Sequence, residues 1–578
     1  MKKLVSLFLA LTLLTGVIPF VSAEGGHPFF TRSYSIFATK NNIELDNKWP
    51  LYFTEDAEDM PWIDLEELAD LLNMVQNVAL GNENFHLDYA QEGKIITLTR
   101  ENTFWMRVDF ENNAIFFNDY DAFVLRAARQ SLLDQLSFTG FDEKGEAALF
   151  QRDALASYDR YGDMMALNLS DYKIQLVMDE DRGYIPLQTV NDFLIAPLTN
   201  RSLLFNGESL FLANGDDMFD QQTGGLSALA TNYFSAAPAT RSQKLADFGV
   251  NELTLMLDCQ YGLKQKHGID SFAQIFWQIG FDEALASASP VDADSALRLF
   301  ISYYLDDQHS GFGFPSWMTG MQADLQEGTG PSVRLSERQE KQYQAARSSA
   351  LGEQFEPYQE IQNTAYITFD RFDSDFEAED YYKATADGKR VDDTIGLIVY
   401  AHQQISRKDS PIENVVIDLS CNGGGSADAA LFVISWILGE AEVSVENAFT
   451  GAQSTMVYRA DVNMDHQFDE NDTLQGKHVY CLISPNSFSC GNLVPAVCKA
   501  NQAVTLIGRT SGGGACEVQQ RSTAWGTTFQ ISGSNRLSFR KNGSFYDIDE
   551  GVAPDVYLSR IETFYDRQKL NDLINNLP

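Results

Sequence analysis

The sequence predicts an α/β core preceded by a helical subdomain and, before that, a β-rich amino-terminal region. Three observations carry this. Two largely apolar runs, Asn414 to Leu419 and His478 to Ile483, each lead through a Gly- or Ser-bearing turn into a helical stretch, Ala427 to Leu438 and Asn492 to Ala500. Runs of that kind are strands buried on both faces of a sheet. From Arg241 to Leu305 apolar residues recur at helical spacing, as in Leu253, Leu257, Tyr261 and then Phe272, Ile275, Phe276, Ile279. From Ser33 to Asn214, short strand-like runs alternate with turn residues.

Taken in order, Lys2 and Lys3 head an apolar stretch from Leu4 to Val21, and Val21-Ser22-Ala23 offers the small-residue pattern cut by signal peptidase, before Glu24. A spanning helix needs about 20 apolar residues, and Gly16 and Pro19 interrupt this one. Residues 1–23 therefore read as a cleaved leader, and the mature protein is expected to be secreted and soluble, without stable membrane insertion. Residues 24–225 form the β-rich region. In it Trp62 to Leu68 and Tyr184 to Val190 look alike, each a strand end entering a short helix, and they resemble paired stalk modules of exported bacterial proteins. Residues 226–345 are the helical subdomain, in which a helix from Asp292 to Tyr304 delivers the chain to Asp306-Asp307-Gln308-His309-Ser310-Gly311. A polar, Gln- and Glu-rich linker is expected from Gly311 to about Gln362. The core, 346–578, opens with a strand at Thr364 to Phe369 and a helix at Thr394 to Gln404, and includes a further strand at Val504 to Gly508.

At 578 residues the chain exceeds a single core, and 44% hydrophobic with 12% aromatic residues is ample for burial. A net charge of -39 repels phosphate backbones and anionic headgroups, so nucleic acid is a poor partner and basic or neutral substrates are favoured. Five of the six cysteines lie from Cys421 onward, without zinc-binding spacing; export permits one or two disulfides.

The chemistry concentrates in the turns. Gly423-Gly424-Gly425 between a strand and a helix lets backbone N–H groups face a cleft. Ser489, in Ser487-Phe488-Ser489-Cys490-Gly491, stands where a hydroxyl meets the positive end of a helix, although a serine there is commonly a plain N-cap. Cys490 is a competing nucleophile, since a thiolate at a helix start is activated. None of the seven histidines follows Ser489, so a base must come from upstream, which excludes the chain order of α/β-hydrolases. His309, in a polar turn after a helix, is the best placed.

Five segments in order then resemble the S41 (C-terminal processing, tail-specific) peptidase family: Asp306-Asp307-Gln308-His309-Ser310, Ile417 to Gly425, Asn486 to Gly491, Gly508 to Gly514, and Asp549-Glu550-Gly551-Val552-Ala553-Pro554-Asp555. The resemblance implies a ClpP/crotonase-like core and a serine endopeptidase acting on protein or peptide substrates with no cofactor for catalysis. It assigns Ser489 as nucleophile, His309 as base, Gly424 or Gly423 and Cys490 as oxyanion donors, Asp549 as the acid with Asp547 and Glu550 as alternatives, and Ser310 as a residue orienting the base. Many members carry a catalytic lysine in the turn where Gly514 stands here, and Lys499 reads as a surface residue. The chain therefore resembles the Ser-His-acid, tricorn-core-like branch, and its linker is too short for the PDZ domain many members insert. A non-catalytic peptide- or wall-binding protein and an esterase remain the alternatives. Separately, Asp461, Asn463, Asp465, Asp469 and Asp472 are spaced as in a calcium loop, with His466 in the usual glycine place, and allow a structural Ca2+.

Overall fold

The computed structural model describes residues 29–45, 48–80, 86–124, 149–152, 158–220 and 223–577; the leader read over residues 1–23 lies outside them. At its centre is a six-stranded sheet in the order Tyr358–Ile361, Thr364–Thr368, Asn414–Asp418, His478–Ile483, Val504–Gly508, Val556–Tyr557. All pairings are parallel except the first. Every residue of Asn414–Asp418 is buried, as expected of a strand with the apolar centre Val415-Val416-Ile417, and its polar end Asp418 is met by Arg567 at 3.1 Å. Helices Ala427–Leu438 and Cys490–Ala500 occupy the stretches expected of them.

A second, eight-stranded sheet is organised around the long strand Thr528–Lys541, which pairs with Ala441–Asn447, Cys516–Ser522, Ser544–Tyr546 and the two-residue strand Gly311–Phe312. The last pairing, Gly311 opposite Gln530 and Phe312 opposite Phe529, fixes the segment just after His309 against the core. Two strands from the amino-terminal half, Phe150–Arg152 and Tyr158–Arg160, pair with Gln453–Ala460 of the same sheet, so the β-rich region is hydrogen-bonded into the core.

The look-alike phrases prove to be neighbours. Strand Ala57–Asp64 pairs antiparallel with Arg182–Pro186, with Tyr184 opposite Asp64 and Pro186 opposite Trp62, and helices Leu68–Leu80 and Leu187–Val190 follow them. The helical region holds Gln243–Gln260, Phe272–Ile279, Asp282–Leu285 and Pro290–Leu299. The helix expected at Asp292 starts two residues earlier, because Ser289 caps it and Pro290 takes its first turn.

One expectation is corrected. The polar linker contains a 21-residue helix, Pro331–Leu351. Its charged residues are those of a solvated helix face, and only Tyr343 and Arg347 are buried, too few to leave an apolar period in the sequence. Of the one or two disulfides that export permits, none is formed here: all six cysteines are free.

Candidate active site

The turn carrying Ser489 is held by its own side chains. Ser487 Oγ donates to Leu419 O (2.7 Å) and Ser484 Oγ to Ser420 O (2.5 Å), while Phe488 N donates to Asn422 O (3.0 Å). These bonds tie the Ser484–Phe488 turn to the strand end that leads into the triple glycine. Ser489 N donates to Gly513 O (2.8 Å), and Ser489 O accepts the first helical N–H groups, from Asn492 and Leu493. The residue sits at the N-cap with φ 55° and ψ −123°, and its side chain makes no capping bond. That backbone region is costly for any residue but glycine, by about 1–3 kcal/mol, and in it the hydroxyl caps no N–H of the helix.

The Ser489 side chain lies close against Gly424. A Cβ on Gly424 would lie 2.6 Å from Ser489 Cβ and 3.1 Å from its Oγ, and Gly424 has φ +107°. Gly424→Ala is therefore expected to displace the serine and lower catalytic turnover by about 10²-fold, as a misplacement near 1 Å does. Turnover within a few-fold of wild type in a kinetic comparison would refute this close approach.

His309 follows Asp306, which closes the preceding helix in the left-handed region at φ 47° and caps helix Pro331–Leu351 by accepting from Ser332 N (2.7 Å) and Val333 N (3.1 Å). The Asp307 carboxylate forms the turn itself. It accepts from His309 N (3.1 Å), Ser310 N (2.9 Å), Ser310 Oγ (2.7 Å), Ser532 Oγ (2.8 Å) and Tyr261 OH (2.8 Å). The imidazole is buried, with its ring centroid 4.6 Å from that of Phe488, the residue before Ser489. Among the described residues the ring nitrogens and Ser489 Oγ make no hydrogen bond. Burial pulls the imidazole below its ordinary pKa, against the opposing pull of Asp307 and Asp549, which keeps the ring neutral at neutral pH.

Of the three acids, Asp549 is the one whose charge bears on His309. Its Oδ1 accepts from Ala515 N (2.9 Å) and its Oδ2 pairs with Lys266 Nζ at 2.5 Å. Burial works to raise its carboxyl, but Lys266 and then the Ala515 N–H overcome it and hold the group below the usual range. Asp547 is engaged elsewhere, with Arg536 at 3.0 Å, and Glu550, which shares Lys266 with Asp549 and meets it at 2.7 Å, is 84% exposed. Ser310 Oγ accepts from Ser532 N (3.2 Å) as well as donating to Asp307. It therefore anchors the base's loop to strand Thr528–Lys541 rather than touching the ring.

The expected oxyanion donors divide. Gly424 N–H donates to Asn422 Oδ1 (2.9 Å) and Gly423 N–H to Asp370 O (3.1 Å), so both are spent inside the turn and in this conformation serve no oxyanion. Cys490 N–H, at the first position of helix Cys490–Ala500, is one of the helix's orphan donors. The Cys490 thiol is no rival nucleophile. It is buried, donates to Gly425 O (3.3 Å), and burial pushes it up to about 12.

The place of the family lysine is closed. A Cβ on Gly514 would lie 2.4 Å from the Phe488 ring, the ring against which His309 packs. Lys499 faces away, pairing with Asp555 at 2.8 Å. In the acidic loop, Asp461 accepts from Asp465 N (3.1 Å), His466 N (2.7 Å) and Tyr382 OH (2.7 Å). Asp472 accepts from Val462 N (2.7 Å), Asn463 N (3.0 Å) and Asp469 N (2.9 Å). Asn463 and Asp465 accept from the backbone two residues on, and Asp469 from Asn471 N. The turn is thus closed by its own hydrogen bonds, and the calcium expectation gains no support: among the described residues no three or more His, Cys, Asp or Glu form a group able to hold a metal ion. Lys266 and Phe488 escaped sequence reading. Lys266 meets an acid 283 positions away, and an aromatic beside a serine carries no signal of its own. Asp307 was legible in principle, as an Asp bonding backbone two residues on.

Residues 363–558 match the model of peptidase family S41. A Chlamydia pneumoniae protein is 36% identical over 93 residues, 14% of this chain and 13% of its own length. Among solved structures, the photosystem II D1 C-terminal processing protease is 18% identical with a TM-score of 0.26, over 34% of this chain and 42% of its own. Mature CPAF complexed with lactacystin is 12% identical with a TM-score of 0.37, over 57% and 97%. The matched stretches thus span well under two thirds of the curated relative and of the D1 protease.

Proposed function

We propose that this chain, a family S41 peptidase over residues 363–558, is an exported serine endopeptidase that cuts extracellular proteins or peptides. The reading rests on one observation: a strained, uncapped serine beside a glycine that makes room for it, one residue from the ring on which His309 packs. The Ser489 hydroxyl attacks the peptide carbonyl while the His309 imidazole takes its proton. The new C–O bond forms as the carbonyl oxygen gains charge, and Cys490 N–H and the helix start stabilise it. When the C–N bond breaks, His309 returns the proton to the leaving amine, and water then releases the acyl group by the same route. Asp549 supports the charged imidazole. The Ser489–His309 hydrogen bond is expected to close on substrate binding, as catalytic bonds commonly do. Export rests on the leader alone; among the described residues no helix is long and apolar enough to cross a membrane.

The test is a fluorophosphonate probe, whose adduct, after digestion and mass spectrometry, is expected on Ser489. An adduct elsewhere, or none on folded protein, rejects the reading in favour of a binding protein that kept the fold. A peptide-library digest then separates peptidase from esterase, since an esterase leaves the library intact.

A further inference from the structure

A cleft of about 320 Å³ is lined by the triple glycine Gly423, Gly424 and Gly425 together with Gln308, Ser336, Glu340, Asp370, Arg371 and Asn486. That is the low end of the size range for ligand sites, enough for one long side chain. Gly424 is the glycine that faces Ser489, so a side chain entering the cleft leaves its carbonyl beside the serine.

The charges of the cleft do not cancel. Asp370 is taken by Arg347, which meets both its oxygens, and Arg371 is held by Asp373 at 2.8 Å with 76% of its side chain exposed. Glu340 accepts from Gln344 Nε2 (2.8 Å) and has no cationic partner among the described residues. Asn486 is 6% exposed; its Nδ2 donates to Ser420 O (3.4 Å), and its Oδ1 is buried without a hydrogen-bond partner. A buried acceptor left unmatched in the wall of a cleft is a place where a donor entering the cleft gains a hydrogen bond once the side chain shifts to meet it. An ammonium or guanidinium supplies several N–H donors and a charge for Glu340, and the chain's net charge of -39 draws cations toward it.

We propose that this cleft is the specificity pocket for the residue preceding the scissile bond and that it selects lysine or arginine; the assignment rests on the serine-peptidase reading above. The experiment uses fluorogenic peptides identical except for lysine, norleucine or glutamate at that residue. Lysine is expected to exceed norleucine in kcat/KM by about tenfold or more, with glutamate poorest. Glu340 is exposed, so Glu340→Gln should shrink the lysine-to-norleucine ratio about fivefold at most, the scale of an exposed ion pair, and Glu340→Lys should turn the preference toward glutamate. Because each ratio is internal to one variant, partial loss of folded protein does not move it. A wild-type enzyme labelled on Ser489 that cuts norleucine as well as lysine overturns the pocket and leaves the peptidase. Absence of that label overturns both.

Discussion

Ser489→Ala is expected to abolish fluorophosphonate labelling and to lower peptide hydrolysis about 10⁶-fold, the scale for removing a serine nucleophile, while leaving the thermal midpoint near that of wild type. The two halves of this expectation come from the same geometry. A serine that serves as an N-cap loses about 0.5–2 kcal/mol of stability on truncation to alanine. Ser489 stands at the N-cap position without making that bond, so alanine removes chemistry and no structural contact. Its backbone, at φ 55° and ψ −123°, is as unfavourable for alanine as for serine. Glycine relieves it, and Ser489→Gly should therefore be equally dead and more stable than wild type, by roughly 1 kcal/mol. Calorimetry on the three proteins reads this directly. A drop in midpoint for Ser489→Ala with activity retained would return the residue to a capping role and leave the site without a nucleophile.

How much of this was legible in the sequence follows from the range of the interactions. The strands of the parallel sheet and helix Ala427–Leu438 were readable because their burial is written into consecutive residues. Helix Pro331–Leu351 was not, since its two buried residues, Tyr343 and Arg347, make no period and its remaining face is polar. At the site, the residue types that carry chemistry were visible: a serine at a helix start, a histidine after a helix, a glycine cluster. Their accessories were not. Gly423 and Gly424 look like free donors in sequence, yet Asn422 and Asp370 claim their N–H groups. The acid was narrowed to three neighbours, and only the fold separates them: the charge of Asp549 bears on His309, while Asp547 pairs with Arg536 and Glu550, though it shares Lys266 with Asp549, is exposed. The absence of a lysine at Gly514 was plain; that the Phe488 ring occupies the space beside it was not.

His309→Ala is expected to lower hydrolysis about 10⁴-fold or more, because nucleophile and base act as a unit, and the pH dependence of the wild type identifies the group. The base must be neutral to take a proton, so the rate should rise with pH through the pKa of His309 and level off above it. Burial sets that pKa below the usual 6.5, against the pull of Asp307 and Asp549. The acid limb measured as labelling rate against pH should therefore have its midpoint below 6.5. Asp549→Asn removes one of the two negative charges that favour the imidazolium, so it should move that midpoint further down as well as slow the plateau, because a supported imidazolium is what the transition state requires. Asp547→Asn, whose carboxylate is engaged with Arg536, should leave both unchanged. The three profiles thus separate a supporting acid from a merely nearby one. A limb that stays in place in Asp549→Asn, or a midpoint above 6.5 in the wild type, would mean that the titrating group is not the buried histidine packed on Phe488.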